Sequence, residues 1–77
     1  MDDQKFDDLV KQVQATEIEI TRCDTTIRAL WTELKRLARL GIAASTEHQH
    51  LIQVENERQR WISLRERIQA TISSAAR

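Results

Sequence analysis

Residues 6–37 read FDDLVKQVQATEIEITRCDTTIRALWTELKRL, and the spacing of their apolar side chains decides the fold. With Phe6 placed at position a of a heptad, the a positions are Phe6, Val13, Ile20, Ile27 and Leu34. The d positions are then Leu9, Thr16, Cys23, Leu30 and Leu37, so that only Thr16 interrupts the apolar series. A three-and-four spacing sustained in this way predicts one long amphipathic helix with a coiled-coil-like face. Thr16 is expected to satisfy its hydroxyl on its own helix backbone.

Working outward, Asp2 and Asp3 can cap the start of this helix, and Asp7 and Asp8 sit near its positive end, where acids are favourable. At the other end Lys35, Arg36 and Arg39 complement the negative end of the dipole, and Gly41 can adopt the left-handed conformation that closes a helix. Helix one is therefore expected over residues 4–40. The one place where it could kink is the run Thr21 to Thr26, whose threonines and aspartate lower helix propensity. After a connector at residues 41–45, Thr46 followed by Gln49 has the form of a capping box, with Ser45 as the competing cap.

A second helix is expected over residues 46–75. Its seam is Leu51, Val54, Trp61, Leu64, Ile68, Ile72 and Ala75, interrupted by Arg58 and Arg65, whose long stems can cover apolar surface while their heads reach water or a carboxylate. Two long helices joined by a short connector pack antiparallel, so the fold class is all-α, a single helical hairpin spanning residues 1–77. Its core is expected to be Phe6, Leu9, Val13, Ile20, Cys23, Ile27, Leu30, Leu34 and Leu37 of helix one against Leu51, Val54, Leu64, Ile68 and Ile72 of helix two.

Charge supports the antiparallel arrangement. Residues 1–26 hold three basic and seven acidic side chains, whereas residues 27–40 hold four basic and one acidic. A turn near residue 43 sets the basic stretch towards Glu47, Glu55 and Glu57 and the acidic half towards Arg65, Arg67 and Arg77. The same register places Asp24 opposite Ile62 and leaves about the first eight residues of helix one beyond the end of helix two.

The totals narrow the function. The chain has 77 residues, 12 basic and 12 acidic side chains, no proline and one glycine. Zero net charge supplies no overall field towards nucleic acid or anionic membranes, and the run Lys35 to Arg39 has the helix-dipole explanation already given. No apolar run approaches the roughly 20 residues of a membrane span, and the N-terminal residues lack the pattern of a signal peptide. With a lone thiol at Cys23, a cytoplasmic protein is expected. His48 and His50 fall on different sides of a helix, and no catalytic, cofactor-binding or metal-binding set is found. The expectation is a non-enzymatic protein with no cofactor.

A chain of this size needs support beyond its own core, and neither a disulfide nor a metal is at hand. Apolar residues off the seam indicate where that support comes from. Val10, Trp31 and Ala38 share the e position and widen the buried face of helix one beyond what one facing helix covers. Trp31 and Trp61 each have on the order of 200 Å² to bury, and in the expected register they do not face one another. Val10, Trp31, Ala38, Trp61 and Ile62 are thus the expected partner-binding residues. The partner is another helical protein, or a second copy completing a four-helix bundle.

The chain also resembles the YscE-type co-chaperones of bacterial type III secretion. The residues that carry the likeness are the helix Ile27-Arg28-Ala29-Leu30-Trp31-Thr32-Glu33-Leu34-Lys35-Arg36-Leu37-Ala38-Arg39-Leu40-Gly41, the start Glu47-His48-Gln49-His50-Leu51, and the amphipathic helix running on to Ile72. The resemblance implies a cytoplasmic hairpin that stabilises a larger tetratricopeptide-like co-chaperone and so helps keep the needle subunit unpolymerised. The alternatives from the residues alone are a homodimeric four-helix-bundle regulator of nucleic acid or protein, and a structural coiled-coil subunit.

Overall fold

The computed structural model describes residues 3–75 and consists of two helices, α1 (Asp3–Arg39) and α2 (Ser45–Ala75), packed as an antiparallel hairpin about 58 Å long and 15 Å across. The expected roles of Asp2 and Arg77 lie outside the described residues. The length follows from 37 helical residues rising about 1.5 Å each. Helix α1 runs through Thr21 to Thr26 without a break. Two hydroxyls in that run donate to carbonyls one turn back, Thr21 to Glu17 at 3.0 Å and Thr25 to Thr21 at 3.1 Å, so they do not compete with the helix ladder.

Gly41 closes α1 as expected. Its φ is +68°, the Ile42 amide donates to the Leu37 carbonyl at 3.0 Å, and the Gly41 amide donates to the Ala38 carbonyl at 3.2 Å. This paired arrangement is a Schellman motif. The start of α2 differs from the expected capping box. The helix begins at Ser45, with the Ala44 carbonyl accepting from the His48 amide at 2.9 Å, so Thr46 lies inside the first turn. A side chain already inside the turn is badly placed to cap it.

The core follows the heptad seam. Ile20, Cys23, Leu34 and Leu37 of α1 and Leu51, Val54 and Ile68 of α2 are buried. Leu9, Val13, Ile27, Leu30, Leu64 and Ile72 are half-buried. Thr16 is buried too, its hydroxyl donating to the Val13 carbonyl at 2.6 Å. Phe6 departs from the expectation: it lies at the open end of the hairpin, 45% exposed, and is not core.

The register is also shifted. Arg58, not Ile62, reaches Asp24, and Thr71 lines a groove with Lys5, Asp8, Leu9 and Gln12. Facing residues therefore lie roughly one turn nearer the chain termini than expected on α1, and α2 runs alongside Leu9. The expected overhang of eight residues is largely removed. Phe6, 45% exposed, lies close to the level of Ala75, the last described residue of α2.

Candidate binding surfaces

The seam divides the rest of the hairpin into two flanks and two outer faces. On one flank Glu19, Cys23 and Thr26 of α1 line a groove with His50, Val54 and Glu57 of α2. Cys23 sits at its floor with no disulfide partner. Burial, followed by the Glu57, Glu19 and Asp24 carboxylates, pushes its thiol above the ordinary pKa, with Arg58 pulling the other way. A thiol held protonated in this way is a packing group and a poor nucleophile at neutral pH.

Arg58 and Arg65 occupy the seam of α2 one heptad apart, and their surroundings differ. The Arg58 Nε donates to the Asp24 Oδ1 at 2.6 Å, an ion pair that bridges the two helices with both side chains about two-fifths exposed. The Arg65 Nε is buried and has no acceptor. The sequence pattern distinguishes neither from the other, because only the register decides which arginine meets an acid.

The charges of α1 do not face α2 in the way expected. Arg28, Lys35, Arg36 and Arg39 are all exposed. Arg36 is paired with Glu33 of its own helix rather than with Glu47, Glu55 or Glu57. The Arg36 hydrogen bonds hold the Glu33 carboxyl below its usual range. In heptad terms these four basic residues occupy b, c and f positions, which point away from a facing helix.

The five expected partner-binding residues fall into two groups. Trp61 is half-buried and lines, together with Leu64, Gln53, Glu57, Arg60 and Arg67, a shallow groove along α2. Ile62 is half-buried but does not line that groove. Val10, Trp31 and Ala38 lie on the e flank of α1, where Val10 is half-buried, Ala38 exposed and Trp31 48% exposed. The structure keeps the two tryptophans apart and on different helices. Leu40 and Ile42 are exposed at the turn, and Ile18 and Ile52 are more than half exposed on the outer faces of α1 and α2.

The hairpin has a thin interior. Among the described residues no large side chain is fully buried, and the surface totals 5928 Å², against about 4,900 Å² for a compact chain of this mass. The excess of about 1,000 Å² is comparable to one partner's share of an ordinary protein interface. Among the described residues no cluster of His, Cys, Asp and Glu is placed to hold a metal ion, and no helix is long and apolar enough to cross a membrane. No family model, curated protein or solved structure matches the chain.

Proposed function

We propose that this chain is a non-enzymatic protein-binding module, a helical hairpin that lends its apolar flanks to a larger helical protein. The observation that supports this best is the excess of surface over a core that has, among the described residues, no fully buried large side chain. A two-helix hairpin with so thin an interior gains stability when further helices cover it. In its finer form the reading rests on the resemblance of residues 27–72 to YscE-type proteins. The partner is then a cytoplasmic, tetratricopeptide-like co-chaperone, and the pair keeps a type III secretion needle subunit from polymerising. Trp61 and Leu64 are the side chains offered to that partner, since an aromatic ring in a groove is the usual form of an interface anchor.

The test is co-expression of the full chain with its genomic neighbours of tetratricopeptide type, followed by mass measurement of the purified complex. A one-to-one complex that Trp61→Ala weakens tenfold or more is the expected result. Recovery of the chain only as the same species it forms alone overturns the reading.

A further inference from the structure

Arg60 and Arg67 lie one heptad apart on α2, both exposed, and neither guanidinium has an ion-pair or hydrogen-bond partner among the described residues. They form a ridge between two grooves. On one side lies the groove of the half-buried Trp61 and Leu64, and on the other a groove lined by the uncharged Asn56, Gln59 and Ser63. Glu55 and Glu66 line neither groove.

The other charges along this flank are close to balanced. Glu19 and Arg22 of α1, which line the neighbouring Cys23 groove, pair with each other at 2.9 Å. Lys5 and Asp8 stand together beside Thr71, about one turn beyond Arg67. Glu57, at the edge shared by the Trp61 and Cys23 grooves, is the one acid lining the Trp61 groove among the described residues, against two arginines. The flank therefore presents two unanswered positive charges beside an apolar strip.

We propose, resting on the reading of the chain as a protein-binding module, that this flank receives an acidic amphipathic helix of the partner. Two of its carboxylates, seven residues apart, sit over Arg60 and Arg67, and the apolar residues between them cover Trp61 and Leu64. Spacing and charge select that occupant. About 10 Å of helix axis separates the two arginines, and a second helix packed alongside repeats equivalent positions at the same rise. An extended segment covers that rise in about three residues, and side chains three apart in a strand point to opposite faces. Guanidinium groups engage carboxylates through paired hydrogen bonds, and such pairs gain strength where an apolar surface excludes water. A basic helix would set like charge on like. A nucleic acid is disfavoured, because Glu57 lines the same groove and the zero net charge supplies no attracting field. Opposite Glu57, the occupant carries an uncharged or basic residue.

The test uses the full chain with Trp31→Phe, so that fluorescence reports Trp61 alone, and three synthetic helical peptides of about 20 residues. The peptides share a leucine strip and differ only at two positions a heptad apart, which hold Glu, Gln or Lys. The Glu peptide should bind at least tenfold more tightly than the Gln peptide, the Lys peptide should bind weakest, and raised salt should narrow the difference. R60Q/R67Q should erase the preference, and R60E/R67E should reverse it in favour of Lys. Equal binding of the three peptides, binding by none, or a preference that survives R60Q/R67Q overturns the proposal, as does tighter binding of a single-stranded oligonucleotide than of the Glu peptide. Circular dichroism of each variant separates lost binding from lost folding. The co-expressed complex keeps the two readings distinct. A complex that forms but is indifferent to R60E/R67E retains the co-chaperone partner and discards the acidic helix. A charge-selective groove without such a complex retains the acidic helix and discards that partner.

Discussion

The Arg58 Nε lies 2.6 Å from the Asp24 Oδ1, and through this bond a basic residue in the seam of α2 reaches an acid on the e flank of α1. Both side chains retain partial access to water, so the pair is worth little beyond what exposed pairs give. Removing the acid alone leaves a cation at a seam position without its counter-charge. Asp24→Ala should lower stability by about 1 kcal/mol, whereas Arg58→Leu, which replaces both charge and stem by apolar volume, should be neutral or stabilising. Urea unfolding at one fixed protein concentration measures both, and equal losses from the two variants would show that the pair itself stabilises the hairpin.

Arg65 presents the opposite situation, a buried Nε with no acceptor. An orphaned donor costs roughly 1–3 kcal/mol, so Arg65→Met should raise stability by about 1 kcal/mol. A lower urea midpoint for this variant would mean that the other guanidinium nitrogens hold the helices together.

Gly41 tests backbone against side-chain effects. A Cβ added there meets nothing within 4 Å, yet φ is +68°. The cost of Gly41→Ala is therefore conformational alone, about 1 kcal/mol, and Gly41→Asn should recover part of it because Asn tolerates the left-handed region. Thermal unfolding of the two variants side by side decides the ranking.

Cys23 carries a pH dependence. The folded chain holds the thiol proton more tightly than the unfolded chain, because burial and the neighbouring carboxylates disfavour the thiolate. The stabilisation linked to this proton is fully present below the ordinary thiol pKa of about 8.5 and is lost as pH rises through the higher folded value. Stability measured from neutral to alkaline pH should fall less steeply in Cys23→Ala than in the wild type. Alkylation of Cys23 should be slow in buffer at pH 8 and fast in urea; equal rates would place the thiol in reach of solvent.

Much of the fold is legible in the residue pattern. The apolar spacing from Phe6 to Leu37, the basic last turns and Gly41 locate α1 to within about a residue of its observed ends, because each acts locally. The register is not legible in the same way. It depends on how Arg58 and Arg65 thread the seam and on where the Schellman motif leaves the chain, and both are settled only when the helices meet. The shift of about one turn moves Asp24 from Ile62 to Arg58 and brings Thr71 beside Leu9. The charge asymmetry of α1 is plain in the sequence, but net composition does not say which side of a helix carries it. Arg28, Lys35 and Arg36 point outward because the heptad that buries Ile27 and Leu34 leaves them no other direction.

The uneven core also sets how the hairpin comes apart. Leu34, Leu37, Leu51 and Val54 are buried near the turn and Thr16, Ile20 and Ile68 farther along, while Leu9 and Ile72 near the open end are only half-buried and Phe6 is exposed. Amide protons between the turn and the level of Thr16 and Ile68 should therefore exchange slowest, and protection should fall beyond that level towards Asp3 and Ala75. Opening then begins at the termini and travels inward like a zip, with the closed turn as the last part to yield and the first to re-form.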